Sequence, residues 1–304
     1  MRRSIYAALA ALVLAGAAAP ALAGDDAGAL YREGMALKNQ GKDDEAIADF
    51  EKAVAADPKH AMAWASLGHL YKKKKDYAKA IDAYEKATAL MPNEEVVWAN
   101  LGMAYYRNNR VDDALAALQK ACKLAPKDAE VRANLGTIKR QKGDTAGAIV
   151  QLEKAVELAP GEATYQSNLG VAYRNANRLD DAIKSFQKAI ELAPNEAEYH
   201  FNLAVVYRRQ QEVDKAIPEY ERAVALAPDM SDAWYDLGYM YKLNHDNDKA
   251  VEAFNTYLEL TKGKDAKNDK QVEDEIESMG GKPVTKEPQK PAPKPKGKSK
   301  GKVK

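Results

Sequence analysis

The 304-residue chain contains one cysteine, four histidines and four phenylalanines. A single thiol, Cys122, excludes an internal disulfide framework and any zinc or iron–sulfur site built on several cysteines. The histidines (His60, His69, His200 and His245) are scattered, without an H-E-x-x-H pair, and no glycine-rich phosphate loop follows a strand-like run. Catalysis therefore has no residues to carry it. No catalytic residue, cofactor or metal ligand is assigned, and the chain is expected not to be an enzyme. Cys122 reads as a buried, inert thiol on a packed helix. Net charge is also nearly absent, at +1, but that balance hides unlike segments. Residues 1–23 hold Arg2 and Arg3 and no acid; residues 282–304 hold nine lysines against Glu287 alone. The body between them is acidic. With 46% hydrophobic residues, there is ample material for a core.

Only one long apolar run occurs, and it lies at the N-terminus. Arg2 and Arg3 precede an uncharged stretch over residues 5–19, Pro20 breaks it, and Ala21-Leu22-Ala23 supplies small residues for a signal peptidase. As a helix the run spans about 22 Å, short of the ~30 Å hydrocarbon core. Residues 1–23 are read as a signal peptide with Gly24 as the first mature residue, an uncleaved anchor being the alternative. The mature protein is expected to be exported, with the bacterial periplasm as first choice and secretion also open. It carries no transmembrane span.

What is abundant is repetition. Pro58, Pro92, Pro126, Pro160, Pro194 and Pro228 stand 34 residues apart, and Ala46, Ala80, Ala114, Ala148, Ala182, Ala216 and Ala250 keep the same step. A fixed period of that size is one supersecondary unit copied along the chain. In each copy a polar turn divides two stretches of helical periodicity, and the proline stops the second. The sequence predicts an all-α array of helix pairs.

The copy Trp64, Leu67, Gly68, Tyr71, Ala80, Tyr84, Pro92 resembles the tetratricopeptide repeat family, whose signature is W-x2-L-G-x2-Y…A-x3-F…P. Seven copies are placed at 27–60, 61–94, 95–128, 129–162, 163–196, 197–230 and 231–264. Trp98, Leu101, Gly102 and Tyr105 share one helix face; the glycine lets the second helix approach, and Ala114 and Ala121 do so from the other side. One pair cannot bury this face alone, but stacking does so. The resemblance implies a right-handed superhelical solenoid with first helices on the concave side. Residues 265–280, with Val272, Ile276 and Met279 on one stripe, are expected to cap it.

Departures from the pattern carry expectations of their own. Glu33 in the first copy should face solvent. Arg132 and Lys139 replace the Trp and Tyr of the fourth copy, which is expected to pack least tightly. Pro218 is expected near the start of a second helix, where its missing N–H costs little and leaves a slight kink.

Candidate function sits on the concave face. Asn100, Asn134, Asn168 and Asn202 recur every 34 residues, and an amide both donates and accepts, so such a ladder pairs with the backbone of an extended peptide. The competing reading is that the amides only solvate the helices. A rim of cations, including Arg107, Arg140, Arg174 and Arg208, suits acidic groups, or else is a solvated face. Tyr235 and Tyr239, with Phe201, offer aromatic anchors unless the capping helix covers them. The carboxylate clamp of cytosolic chaperone adaptors, which the family resemblance would suggest, is missing: no asparagine occupies the ninth repeat position and no cation the fifth.

The favoured function is a non-enzymatic protein–protein interaction scaffold binding extended peptide or protein segments in the concave groove. The alternative is an envelope-anchoring protein. Residues 281–304, rich in lysine and proline, are expected to be disordered and could tether the chain to anionic polymers or lipids. No aromatic residue interleaves those lysines, so specific nucleic-acid recognition is not indicated.

Overall fold

The computed structural model describes residues 19–261, 264 and 266–284, with side chains from residue 26 onward. The expected signal segment up to residue 18 and the lysine-rich segment 285–304 lie outside the described residues. Pro20 stands in the first turn of α1 (Ala19–Asn39), where an N–H has no helical partner to lose. Among the described residues there are fifteen helices, no strand, and no helix long and apolar enough to cross a membrane.

Two compact units divide the chain, residues 1–177 and 178–304. The first holds α1, α2 (Asp43–Ala56), α3 (Ala61–Lys73), α4 (Tyr77–Leu90), α5 (Glu95–Arg107), α6 (Val111–Leu124), α7 (Ala129–Gln141), α8 (Thr145–Leu158) and α9 (Ala163–Asn175). The second holds α10 (Leu179–Leu192), α11 (Ala197–Arg209), α12 (Val213–Leu226), α13 (Ser231–Leu243), α14 (Asn247–Thr261) and α15 (Ala266–Ser278). Within each unit successive helices pack antiparallel in pairs, the all-α tandem architecture of a helix-pair solenoid.

One turn chemistry closes the pairs. Gly41, Lys75, Asn109, Gly143, Asn177, Gln211 and His245 all adopt left-handed backbone, with φ between 58° and 81°. At Lys75 the two bonds of a Schellman ending form: its N–H donates to the Lys72 carbonyl at 3.0 Å, and that of Asp76 to Tyr71 at 2.9 Å. Asp76 then caps α4 by accepting from the Lys79 N–H, as Asp144 caps α8 from Gly147. At the far end, α2, α4, α6, α8, α10 and α12 each stop two residues before a proline, because the residue preceding proline is driven out of helical backbone. Pro218 departs from expectation. It is the sixth residue of α12, beyond the four N–H groups a helix start leaves unpaired, so its ring removes the bond that the Asp214 carbonyl would accept.

In the first unit each pair closes around its glycine. A Cβ on Gly68 would lie 2.6 Å from the Tyr84 ring, and one on Gly102 2.7 Å from Leu118. Neighbouring pairs are joined by bonds at constant offsets. Trp64 and Trp98 donate their indole N–H to the carbonyls of Pro58 and Pro92, both at 3.0 Å. Tyr105 and Tyr173 donate their hydroxyls to Glu85 and Glu153 at 2.6 and 2.7 Å. The fourth copy was expected to be the loosest, yet Arg132 donates Nε–H to the Pro126 carbonyl at 2.7 Å and reaches Gln151. Arginine replaces the indole donor, and Val131, Leu135, Ile138 and Leu152 around it are buried. Lys139, in the tyrosine position, pairs instead with Asp144 at 2.6 Å. Cys122 is half-buried, less enclosed than expected.

The second unit repeats the scheme with substitutions. Trp234 donates to the Pro228 carbonyl at 2.9 Å, and His200 Nε2 holds the Pro194 carbonyl at 3.1 Å. Ala204 replaces the glycine opposite Tyr220. Helix α15 buries Val272 and Ile276 completely, and Thr261 donates to its buried Asp269 at 2.9 Å. Residues 281–284, expected to begin the disordered tail, lie against α14. Asn255 donates to the Lys282 carbonyl at 3.2 Å and accepts from the Val284 N–H at 2.8 Å.

Candidate functional site

In the first unit α3, α5 and α7 stand side by side, since their small faces (Ala65, Ala99, Ala133) permit close approach. Between them lies a groove of about 800 Å³. Its floor is Val96, Ala99, Met103 and Val131, with Asn100 and Asn134 set among them; His69, Lys72, Lys75 and Arg107 supply nitrogen donors, and Glu95, Asp128 and Glu130 acids. The groove is thus amphipathic rather than simply electropositive. Val96 is 58% exposed, an open apolar surface at its edge.

The four asparagines are not equivalent. Asn100 is half-buried; it donates to the Val96 carbonyl at 2.9 Å and accepts from the Lys72 ammonium. Asn134 is also half-buried and makes no side-chain hydrogen bond among the described residues, so its amide is open to the groove. Asn168 on α9 is half-buried. In the second unit Asn202 is only 6% exposed, which leaves little of it for a ligand.

The rim arginines divide in the same way. Arg107 is exposed, lines the groove, and stands over the Tyr106 ring at 5.8 Å with no ion pair among the described residues. Arg140 is half-buried with Nε enclosed and unpartnered. Arg174 is half-buried. Arg208 is engaged in an ion pair with Asp236 at 2.8 Å, and Asp236 also accepts from the Tyr220 hydroxyl at 3.0 Å. Lys72 with Asn100 and Arg208 with Asp236 form one device, a cation of one copy bonded to the sixth residue of the next. The constant 28-residue offset is visible in the sequence but was not read from it.

Burial shapes the ionisation of this face. It pushes the His69 imidazole below its ordinary value, helped by the ammonium groups of Lys38, Lys72 and Lys73, and it lowers Lys72 itself. Asp236 is raised by burial against the opposing pull of Arg208 and Tyr220. Tyr235 is pushed up to about 12 by burial and by its bond to Tyr239, so it presents a neutral phenol. Tyr235 packs edge-on to Tyr239 with centroids 4.9 Å apart, and Gln271 of α15 donates to the Tyr239 hydroxyl at 2.9 Å. The capping helix therefore partly covers Tyr239, while Tyr235 stays open. Among the described residues no cluster of three or more His, Cys, Asp or Glu is arranged to hold a metal.

A family model described as the C-terminal domain of cilia and flagella-associated protein 70, a tetratricopeptide array, matches residues 3–232, and a tetratricopeptide repeat model matches residues 201–265. The chain belongs to the tetratricopeptide repeat family. No curated protein matches it by sequence. Among solved structures of tetratricopeptide proteins, the C-terminal part of a repeat protein from Cytophaga hutchinsonii is similar at 22% identity and TM-score 0.63. That match covers 81% of this chain and 99% of the other. YrrB, described as having an unusual peptide-binding site, matches at 23% identity and TM-score 0.52, over 60% of this chain and 95% of its own. The anaphase-promoting-complex hetero-tetramer Cut9–Hcn1 matches at 24% identity and TM-score 0.59, over 73% of this chain and 45% of that one, so this chain spans less than half of that relative. At these identities the likeness is one of fold. Tetratricopeptide arrays are protein–protein interaction scaffolds and are generally non-enzymatic.

Proposed function

We propose that the groove of the first unit binds an extended peptide or protein segment carrying apolar and acidic side chains. The observation that carries this reading is the open amide of Asn134 beside the exposed Arg107, over an apolar floor of Val96, Met103 and Val131. The amide supplies a donor and an acceptor for a peptide backbone, and the guanidinium supplies a planar fork for a carboxylate. A peptide-binding site in YrrB, a protein of the same fold, is consistent with this use. The test is capture of partners from an envelope extract at low and high salt, with Asn134→Ala and Arg107→Ala beside the unaltered chain. Loss of a salt-resistant partner with an unchanged melting temperature supports the groove. Capture that both variants retain overturns it.

We also propose export. Arg2 and Arg3, the apolar run and Ala21-Leu22-Ala23 support it. N-terminal sequencing of the protein recovered from a periplasmic fraction should begin at Gly24. Recovery only in the cytoplasm, still beginning at Met1, would reject it.

A further inference from the structure

The second unit contains a pocket unlike the groove of the first. It measures about 600 Å³ and lies where α11, α13 and the end of α14 meet the start of α15. Its walls combine the aromatic residues Phe201, Tyr235 and Tyr257 with the carboxylates of Asp229, Asp232 and Asp236. Tyr235 and Tyr257 stand 5.2 Å apart with planes tilted by 58°, giving a corner of ring faces. Asp236 is fixed at the base by Arg208 and Tyr220. Asp229 and Asp232 are exposed and form no ion pair among the described residues. Among the described residues the cation on the wall is Lys264, exposed at the lip.

Negative ring faces next to uncompensated carboxylates favour an organic cation and repel an anion. The partly apolar lining suits the methylene stem of a lysine, with the ammonium directed to Asp232. We propose that this pocket holds a lysine side chain from the chain's own segment 286–304.

Three features of the chain select that source. The segment contains eight lysines and a single acid, Glu287, so its charge is complementary to the pocket. Its entry is anchored on α14, because Asn255 grips the backbone on both sides of Pro283 through Lys282 and Val284. The same helix supplies Tyr257, Leu260 and Thr261 to the pocket.

Reach then decides which lysines qualify. At 3.6 residues per turn, Leu260 and Thr261 lie roughly 140–240° around α14 from Asn255 and about 8 Å further along. Going half-way round a helix about 10 Å across and along its axis is a path of roughly 18 Å. At about 3.3 Å per residue, Lys286 falls short, whereas Lys290 and every later lysine arrive.

The test uses the full-length chain with every lysine after Val284 changed to glutamine, titrated calorimetrically with a synthetic peptide of residues 285–304. This chain should bind the peptide at least tenfold more tightly than the unaltered chain, whose tethered copy competes. Restoring Lys290 alone should bring the competition back, and restoring Lys286 alone should not. In the lysine-free chain, Asp229→Asn with Asp232→Asn should weaken the peptide at least tenfold, while Asp214→Asn with Asp248→Asn, the same charge change outside the pocket, leaves it unchanged. Equal binding by the unaltered and lysine-free chains would overturn the proposal and leave the pocket to a partner's basic group. Equal loss from both aspartate pairs would overturn it too, as attraction without a site.

Discussion

The two units use one 34-residue plan to opposite ends. In the first, the sixth repeat position is asparagine in three successive copies (Asn100, Asn134 and Asn168), the amide of Asn134 is open, and the neighbouring Arg107 faces solvent; the second begins with the buried Asn202 and then departs. In its last copy the same position is Asp236, locked by Arg208 and Tyr220 beneath an aromatic corner. A carboxylate in place of an amide turns a surface that can pair with a backbone into one that attracts cations. The same 28-residue link can carry either residue, since Lys72 bonds Asn100 in the first unit as Arg208 bonds Asp236 in the second.

The comparison is broken most severely by removing one partner of the locked carboxylate. Arg208→Ala leaves Asp236 buried without its counter-cation though still bonded to Tyr220, and chemical denaturation should show a loss of about 2 kcal/mol, below the 3–5 kcal/mol of a fully buried pair because Arg208 is itself more than a third exposed. Lys72→Ala, facing a neutral amide, should cost well under half as much. The sign of the pH response separates the two. Burial already raises Asp236 above its unfolded value, so the neutral form is the better tolerated one inside the fold. The stability this contributes is present at low pH and lost as pH rises through the folded value. Removal of Arg208 raises Asp236 further, so the deficit of Arg208→Ala should shrink on acidification towards the carboxylate range. The deficit of Lys72→Ala should not, and Asp236→Asn should abolish the difference.

The next contrast lies at the glycine position. Gly68→Ala places a Cβ 2.6 Å from the Tyr84 ring and should cost about 1–3 kcal/mol as overpacking. The second unit accommodates Ala204 opposite Tyr220, so Ala204→Gly should cost only the helix-propensity penalty of up to about 1 kcal/mol. Equal costs would mean that the rings, not the glycine, set the spacing.

Smaller still is the donor to the proline carbonyl. Trp98→Phe in the first unit should lose about 1 kcal/mol by leaving the Pro92 carbonyl unpaired. In the same unit Arg132→Met should lose a similar amount despite the unrelated chemistry, since the shared feature is one N–H. The smallest effect is at the turns. Gln211→Gly relieves left-handed backbone at φ 63° and should gain up to about 1 kcal/mol, whereas Gly143→Ala should lose a similar amount.

Much of this was legible in the sequence, because the period is local. Proline every 34 residues fixes where the second helices stop, and the face shared by Trp98, Leu101, Gly102 and Tyr105 fixes what they pack against. The site was legible only in part. The spacing that brought Asn100, Asn134, Asn168 and Asn202 together as a ladder is silent on what each amide already bonds, and burial removes Asn202 while Lys72 engages Asn100. Arg132 misled for a related reason: a residue-type match records the lost indole, not the donor that arginine restores. Pro218 shows the limit of boundaries, where misjudging the start of α12 by a few residues decides whether a hydrogen bond is lost.

The couplings between neighbouring copies have a mechanical meaning. Tyrosine to glutamate spans 20 residues and the donor to the proline carbonyl spans 6, so within a unit every such bond is short in sequence. Loops that small close quickly, which predicts rapid folding that can nucleate in any adjacent pair and spread to its neighbours. Pulled from its ends, a unit built in this way has no distant clasp to share the load. Each interface bears the full tension in series, and extension should proceed as a staircase of small, similar steps rather than as one abrupt rupture.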